Sequence, residues 1–254
     1  MMQNRLLIFV TNDDGFLAKG IQSLVNAVKS FGDVVVISPE RPHSGMSGAI
    51  TVSNPLRCIN IKTVENVTQY YCTGTPVDCV KLGLTMILDR EPDLIVSGIN
   101  HGSNAAVSVL YSGTVGAALE GCVFGIPSIA FSLCDYTADA DFSQAEIVVA
   151  KVVKQVLEKG LPKGVCLNVN IPKGEVKGIQ FGSQTQGQWI DEYMKSVDGV
   201  GRDVYWMTGM FENFEKDNKS SDEWILADGF ASIVPLKIDM TAYSFFEELK
   251  TWEW

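Results

Sequence analysis

The chain has 254 residues, of which 46% are hydrophobic and 20% are charged, and its formal net charge is −10 at pH 7. This length fits one large domain or one domain with an appendage, and the apolar fraction supports a sizeable core, which argues against disorder. The acidic balance disfavours binding to a nucleic-acid polymer, because such binding needs basic residues to neutralise phosphates.

A membrane or secreted location is also disfavoured. No run of about 18 apolar residues exists to span a bilayer. Residues 1–10 carry only Arg5 as a charge and lack the small-residue cleavage site of a signal peptide. None of the six cysteines forms a C-x-x-C pair. We therefore expect reduced, packed thiols in a cytoplasmic protein, and no structural zinc site.

The first 172 residues alternate between strand-like and helix-like segments. Continuous apolar runs predict strands buried on both faces, at residues 6–10, 34–37, 94–96, 128–131 and 165–169. Helical spacing of apolar residues predicts amphipathic helices, at residues 21–28, 80–88, 115–123 and 147–157. Thr75, Pro76 and Asp78 have the types that favour a helix start. This alternation predicts an α/β three-layer sandwich with a mostly parallel sheet.

The sequence changes character after about residue 172, with polar and charged stretches and many aromatic residues. The aromatic residues are Tyr205, Trp206, Trp224, Tyr243, Phe245, Phe246, Trp252 and Trp254. We expect a single domain with a core at residues 1–172 and an extension of strands and an arm at residues 173–254. Exposed aromatic residues near a terminus often mark a contact with another subunit. The alternative, that they cover the domain's own core, stays open at this point.

The strongest local signal for chemistry is Thr11-Asn12-Asp13-Asp14-Gly15, directly after the first predicted strand. In open α/β sheets, ligands bind beyond the carboxyl ends of the strands. Two adjacent carboxylates are costly to keep ionised unless a cation lies beside them. A hard divalent ion such as Mg²⁺ or Mn²⁺ prefers oxygen ligands of this kind. The competing interpretation is a solvated turn, since Asn, Asp and Gly are ordinary turn residues.

Three further segments follow strands or open a helix. Residues 43–48 (HSGMSG) form a loop whose glycines allow close approach of the backbone to a ligand. Asn100 offers an amide oxygen to a metal or an amide N–H to a phosphate, and His101 is either a general acid or a bystander. Ser112, Gly113 and Thr114 open a helix whose free N–H groups suit an anion, although Ser112 or Thr114 can equally be a simple cap.

All four segments are expected to meet in one crevice, which combines oxygen ligands for a cation with hydroxyls and amides for an anion. That combination suits metal-assisted hydrolysis of a phosphate ester. The sequence has no G-x-x-x-x-G-K-[ST] loop and no G-x-G-x-x-G after the first strand, which disfavours a kinase or a dinucleotide-dependent oxidoreductase. It also lacks a G-x-S-x-G elbow, so a serine esterase has no support.

With these segments in view, the chain resembles the SurE family, the stationary-phase survival proteins that act as metal-dependent 5′-nucleotidases. The matching segments run in order over nearly the whole chain: TNDDG (11–15), SPERPHSGMSG (38–48), TGTPVDCVKLG (73–83), DLIVSGINHGSN (93–104), YSGTVGAALEG (111–121) and GFASIVPL (229–236). The resemblance implies a Rossmann-like core and a C-terminal extension that builds homodimers or homotetramers by exchanged elements. It also implies hydrolysis of nucleoside 5′-monophosphates, and in some members of 3′-monophosphates and short polyphosphate.

The resemblance further implies one Mg²⁺ or Mn²⁺ per subunit, with site residues of three kinds. The implied metal ligands are Asp13, Asp14, Ser44 and Asn100. The implied phosphate and substrate residues are Asn12, Gly45, Asn100, Ser112, Gly113 and Thr114. Asp13 and Asp14 would be catalytic, with Asp14 favoured as the base and His101 a candidate proton donor. Departures from the family pattern at Arg41-Pro42-His43 and at His101-Gly102-Ser103 leave substrate preference and the proton donor open.

Two rival hypotheses remain at this stage. A covalent aspartyl-phosphate phosphatase would use Asp13 or Asp14 as its nucleophile. Such enzymes typically have an aspartate two positions beyond the nucleophile, and here Asp13 is followed by Asp14 and Gly15, so the spacing fails. A nucleotide-binding module without turnover is the second rival, because a fold does not determine function. Metal-stimulated phosphate release from nucleoside monophosphates would distinguish an enzyme from a binding module, and a trapped phospho-enzyme would support the covalent rival.

Overall fold

The computed structural model describes residues 5–253, so the aromatic Trp254 and the first four residues lie outside the description. The strands are β1 (Leu7–Thr11), β2 (Asp33–Pro39), β3 (Cys58–Val64), β4 (Val67–Cys72), β5 (Leu94–His101), β6 (Ser128–Cys134), β7 (Val165–Pro172), β8 (Ile179–Phe181), β9 (Gly187–Ile190), β10 (Tyr193–Val197), β11 (Asp203–Met207), β12 (Met210–Asn213) and β13 (Ala231–Lys237). The α-helices are α1 (Lys19–Val28), α2 (Pro76–Leu82), α3 (Gly113–Val123), α4 (Ser143–Lys159), α5 (Asp222–Ala227) and α6 (Tyr243–Leu249). A π turn at Gly83–Ile87 follows α2, and a 3₁₀ turn at Ala106–Leu110 precedes α3.

The central sheet has nine strands in the order β3-β4-β2-β1-β5-β6-β7-β13-β8. Strands β4, β2, β1, β5, β6 and β7 run parallel to one another. Strands β3 and β13 run antiparallel to their neighbours β4 and β7. The predicted α/β class with a mostly parallel sheet is confirmed.

Helices cover both faces of this sheet. Helices α1 and α4 contact one face and each other, and α2 and α3 cover the other face. The predicted stripe of α1 is buried, including Ile21, Leu24 and Val28. All five residues of β1 are buried as well, because helices pack on both sides of that strand.

Residues at the helix ends behave as their chemistry predicts. The Thr75 hydroxyl accepts a hydrogen bond from the Asp78 backbone, and the Asp78 carboxylate accepts one from the Thr75 backbone, which completes a capping box for α2. Pro76 occupies the first helical position. At the other end of a helix, Gly160 closes α4 with a φ of 71°.

The structure differs from the predicted elements at β5, which continues to His101 instead of ending near residue 96. Its pairing with β6 shifts register between Ser97 and Asn100 and then resumes. Gly98 makes the shift possible, because it has a φ of 126° and a Cβ at this position would overlap the carbonyl oxygen of Phe131. The irregularity changes the direction of the strand at the point where Asn100 emerges.

The extension is only partly separate from the core. Strands β8 and β13 belong to the main sheet, and β13 lies between β7 and β8. Strands β9 and β12 form one two-stranded sheet, and β10 and β11 form another. No residue of α6 is buried. A functional boundary at residue 172 therefore stays a prediction, since the sheet itself crosses it.

Within residues 5–253, no helix combines the length and apolar character needed to cross a membrane.

We predict that Gly20→Ala destabilises the protein. Gly20 lies in the first turn of α1, where an added Cβ would overlap the carbonyl oxygen of Ile99 in β5. Relief of this overlap requires α1 to move away from the sheet, and we expect a loss of about 2 kcal/mol in the free energy of unfolding, measured by urea denaturation. Gly199→Ala is the control, because a Cβ there meets nothing within 4 Å. Equal effects of the two substitutions would contradict the prediction.

Candidate active site

The four predicted segments converge at the carboxyl edge of the parallel strands. The Thr114 hydroxyl donates a hydrogen bond to Oδ1 of Asp13. The backbone N–H of His101 donates to Oδ2 of Asp14 at 3.1 Å, and the backbone N–H of His43 donates to the carbonyl oxygen of Asp13 at 2.7 Å. The acid pair after β1 thus contacts the loop after β2, the end of β5 and the start of α3.

The carboxylate of Asp13, two residues after β1, is buried against the start of α3. Thr114 contacts it through both its hydroxyl and its backbone, as expected where a helix N-terminus meets an anion. Gly113 allows the close approach, because a Cβ there would lie 3.0 Å from Cβ of Asp13. Burial, with a smaller effect from the charge of Asp14, raises the pKa of Asp13 to about 6, although the hydrogen bond from Thr114 opposes this shift.

Asp14 is less buried than Asp13, and burial also raises the pKa of its carboxyl group. Its Oδ2 atom accepts the His101 backbone N–H, and its Oδ1 atom accepts no hydrogen bond from residues 5–253. One carboxylate oxygen of Asp14 is therefore available to a ligand or to water. The imidazole ring of His101 packs edge-on against Phe142, with ring centroids 4.9 Å apart.

The donor set around the acid pair fits a hard divalent cation. Neither carboxylate has a Lys or Arg partner in the described part of the chain, so an added positive charge would relieve the repulsion between them. Asn100 donates through Nδ2 to the carbonyl oxygen of Gly102 at 2.9 Å, which leaves its Oδ1 atom for a ligand. Oδ1 of Asn12 is buried and has no partner among the described residues, which is costly unless water or a ligand supplies one.

The described residues contain no group of three or more His, Cys, Asp or Glu side chains arranged to hold a metal. The predicted ligand set has only two such residues and relies on neutral oxygens for the rest. Mg²⁺ is commonly bound in this way, by one or two carboxylates with water and substrate phosphate completing its shell.

The loop after β2 carries Ser44 and Gly45 and is anchored beyond them by Ser47. The backbone N–H of Ser47 donates to Tyr111 at 3.0 Å, and its hydroxyl donates to the carbonyl oxygen of Leu110 at 2.8 Å. Ser44 itself is exposed and forms no hydrogen bond with the rest of residues 5–253. The anchored loop keeps Ser44 one residue from the His43 contact to Asp13, and its role as a ligand stays a prediction.

The sequence left two interpretations of residues 112–114 open, a helix cap and an anion site, and the start of α3 has features of both. Ser112 caps the helix, because its hydroxyl accepts the backbone N–H of Val115 at 3.1 Å. Thr114 is fully buried, and its hydroxyl hydrogen is used by Asp13. The backbone N–H of Gly113 has no acceptor among residues 5–253, so it is free to bind an anion. Contacts of Ser112 and Thr114 with substrate stay predictions.

The segment between Asn100 and α3 is held by residues that the motif analysis missed. Asn104 donates its Nδ2 to Ser132 and its backbone N–H to Oδ1 of Asn170, both at 2.8 Å. The backbone carbonyl of Asn104 accepts from Asn168 at 2.9 Å. The signal for this network was the pair of asparagines inside the apolar β7 run, because buried polar side chains in a strand need specific partners.

Asp222 holds the same segment from the extension. This buried carboxylate accepts the backbone N–H of Ala106 at 2.9 Å through Oδ2. Its Oδ1 atom accepts the backbone N–H of Thr185 at 3.0 Å and the Thr185 hydroxyl at 2.6 Å. Ala106 has a φ of 50°, an unusual conformation that these contacts help to fix. No sequence pattern indicated Asp222, because its partners are backbone groups distant along the chain.

A largely apolar groove of about 680 Å³ runs along α3 next to this site. It begins near Ser47 and Ser112 and extends to Met240 and to Val123, the last residue of α3. Between these ends it is lined mainly by Val109, Leu110, Leu119, Val234, Pro235 and Leu236.

We predict that Asp222→Ala destabilises the protein, because it leaves the buried N–H groups of Ala106 and Thr185 without their acceptor. The expected loss in the free energy of unfolding is about 3 kcal/mol, measured by urea denaturation. Asp217→Ala is a matched control five residues away, since Asp217 is exposed and its side chain bonds to no other described residue. A change below about 0.5 kcal/mol for Asp222→Ala would contradict the prediction.

Comparison with known proteins identifies the family. The family model described as "Survival protein SurE" matches residues 8–191. A protein of Phocaeicola vulgatus named 5′-nucleotidase SurE is 46% identical over 99% of this chain and 98% of its own length. A protein of the same name from Bacteroides fragilis is 47% identical over the full length of both chains.

A solved structure supports the same assignment. The crystal structure of the SurE protein from Aquifex aeolicus matches with a TM-score of 0.83 and 37% identity, over 96% of this chain and 98% of that one. Sequence and structure agree along almost the whole chain, and the chain belongs to the SurE family.

Proposed function

We propose that this chain is a 5′-nucleotidase that hydrolyses nucleoside 5′-monophosphates to nucleoside and phosphate with the help of one divalent cation. The observation that carries the proposal is the contact between buried Asp13 and the start of α3. It supports a site in which carboxylate oxygens bind a cation while the N–H groups of the helix start bind an anion. The relatives named 5′-nucleotidase SurE support the same activity.

The cation in this proposal is Mg²⁺ or Mn²⁺, held by Asp13, Asp14, Ser44 and Asn100. When bound, such an ion stabilises charge on phosphoryl oxygens and lowers the pKa of a bound water. The chemistry of the donors supports the choice, since all four residues offer oxygen atoms. Nucleoside 3′-monophosphates and short polyphosphate belong to the proposed substrate range, because their terminal phosphoryl groups present the same oxygens.

The chain's own residues position the phosphate and transfer protons. The N–H of Gly113, together with Asn12, Gly45, Asn100 and Ser112, is proposed to hold and orient the phosphoryl oxygens. Thr114 is proposed to line the same site while its hydroxyl holds Asp13.

Asp14 accepts a proton from the attacking water through its free Oδ1 atom, while the His101 backbone holds Oδ2. The water oxygen bonds to phosphorus as the bond to the nucleoside oxygen breaks. His101 is the proposed donor of a proton to that leaving oxygen.

We predict that Asp13→Asn and Asp14→Asn each lower kcat at least about 100-fold while the protein stays folded. The amide retains an oxygen that can accept from Thr114 or from the His101 backbone, so local packing is preserved. The measurement is phosphate release from a panel of nucleoside monophosphates with and without Mn²⁺ or Mg²⁺, and circular dichroism verifies folding.

The control for these variants is Asp228→Asn, because its carboxylate is 42% exposed and its ion pair within residues 5–253 is with Lys177. Unimpaired turnover in either active-site variant would overturn the residue assignment. Tight nucleotide binding by the wild type without phosphate release would instead indicate a binding module. A trapped phospho-enzyme would indicate covalent chemistry.

The proposed assembly is a homodimer or homotetramer in which a second copy of the chain covers the exposed parts of the extension. Tyr193, Tyr205 and Trp206 on the β10–β11 hairpin are more than 60% exposed, and Phe245 and Phe246 on α6 are more than 40% exposed. The groove beside α3 supports the proposal, because it follows the length of a helix and is mostly apolar. We assign it to α6 of a second copy.

We predict that the double substitution Phe245→Ser with Phe246→Ser lowers the oligomeric state. Neither phenylalanine is buried within one chain, so replacing both should weaken the association of subunits more than the folding of each subunit. Size-exclusion chromatography with light scattering gives the mass, and Glu248→Ser on the same helix is the control. A monomeric wild type, or an unchanged mass for the double variant, would contradict the prediction.

The proposed location is the cytoplasm. All six cysteines are free thiols, as expected for a compartment that keeps thiols reduced.

A further inference from the structure

Three cysteines outside the proposed site lie together where β3, β4 and α2 meet. Cys58 on β3 is directly opposite Cys72 on β4 in the antiparallel pairing. The thiol of Cys79, on α2, forms a hydrogen bond with Cys72. All three pack against the same apolar cluster, and none takes part in the proposed reaction.

The backbone hydrogen bonds determine how Cys58 and Cys72 face each other. The N–H of Thr73 donates to the carbonyl oxygen of Arg57 at 3.0 Å, so the bond flanks the cysteine pair and does not join it. Cys58 and Cys72 are therefore a non-hydrogen-bonded pair, in which the Cα atoms are about 4.5 Å apart and both side chains point to one face. Disulfides span Cα separations of about 4.4–6.8 Å. The strands already have the spacing that a disulfide needs.

The surroundings of Cys72 favour its thiolate. The hydrogen bond from Cys79, together with the Gly74 backbone N–H at 3.4 Å, lowers the pKa of Cys72 to about 7. Burial instead raises the pKa of Cys58 to about 11 and that of Cys79 well above its usual range. Since the thiolate is the reactive form, Cys72 is the nucleophile of the group.

The position of the pair at the sheet edge gives it access to a small oxidant. Among the described strands β3 pairs with β4 alone, at the edge of the sheet, and six of its seven residues are exposed. Cys58 itself is partly exposed, whereas Cys72 is buried beneath it. Local opening of this edge strand would uncover both sulfur atoms.

We propose that Cys58 and Cys72 form a peroxide-sensitive dithiol that closes into a reversible disulfide between β3 and β4. The Cys72 thiolate attacks one oxygen of hydrogen peroxide, an S–O bond forms as the O–O bond breaks, and hydroxide leaves. The Cys58 sulfur then attacks the resulting sulfenic acid, an S–S bond forms as the S–O bond breaks, and water leaves with the Cys58 proton. Overall two thiols are oxidised and one peroxide is reduced to two waters.

The disulfide should stabilise the edge hairpin without moving the active site. The carbonyl oxygen of Cys72 accepts the backbone N–H of Glu40 at 2.8 Å, at the start of the segment that leads to Ser44. Because directly paired residues of this kind already have the Cα separation that a disulfide spans, we expect the disulfide to leave this contact in place. In the unfolded chain the disulfide closes the loop between residues 58 and 72 and lowers its conformational entropy, which raises the free energy of unfolding.

The test is controlled oxidation of the reduced full-length protein with hydrogen peroxide. Thiols are then counted under denaturing conditions, and linked peptides are identified by mass spectrometry. We expect the count to fall from the six thiols of the reduced chain to four, with a peptide that joins Cys58 to Cys72. We also expect Tm to rise by roughly 5 °C. Dithiothreitol should reverse both changes, and kcat should stay within twofold.

Cys72→Ser should remove the peroxide-induced loss of thiols. Cys58→Ser should abolish the linked peptide and leave Cys72 as a sulfenic acid that dimedone labels, and Cys134→Ser should leave the linkage intact. Cys72→Ser provides a second variant if Cys58→Ser does not fold, as judged by circular dichroism. No thiol loss in the wild type, a linkage to Cys79, or a linkage between Cys122 and Cys166 would overturn the proposal. So would thiol loss that persists in Cys72→Ser, or a Cys72 thiol that stays unoxidised in Cys58→Ser. A lack of nucleotidase activity would not affect this result, because thiol counting is independent of turnover.

Discussion

The contact between Asp13 and Thr114 is the interaction on which the candidate site depends. It joins the end of the first strand to the start of α3, about a hundred positions later in the chain. A buried carboxylate is costly unless donors and a positive potential surround it, and the first turn of a helix supplies both. Gly113 is part of this arrangement, because a side chain there would press against Asp13. The fold therefore only partly compensates the burial of Asp13 and its repulsion with Asp14, and a bound cation would compensate the rest.

The extension has a structural role at this site in addition to its proposed role in assembly. Asp222 reaches the 3₁₀ turn before α3, while Asn168 and Asn170 hold Asn104 from within the sheet. The segment from Asn100 to Ser112 therefore has fixed supports on both sides. A site built from loops needs such supports, because small displacements of its groups weaken catalysis strongly. The substitution of a single residue in the extension can consequently affect groups at the carboxyl edge.

Much of the fold could be predicted from local patterns. Apolar runs identified the inner parallel strands, and Thr75 marked the start of α2 correctly. At α3 the sequence left Ser112 and Thr114 as alternative caps, and the structure selects Ser112. The edge pair β3 and β4 gave a weaker pattern, because only one end of this hairpin is buried and the alternation is incomplete. The position of β13 between β7 and β8 had no local signature at all. Strand order depends on which surfaces pack together, and residues distant along the chain decide that.

The sequence by itself determined that acidic, amide and hydroxyl side chains follow strands of one parallel sheet, and that they gather at one edge. This follows from the direction of parallel strands, which bring their carboxyl ends together. Only the tertiary structure decided that the Thr114 hydroxyl bonds to Asp13, that the His101 backbone N–H donates to Asp14, and that Asp222 supports the intervening segment. Burial and hydrogen-bond partners arise between segments far apart in the chain, so the spacing of residues along it does not contain them.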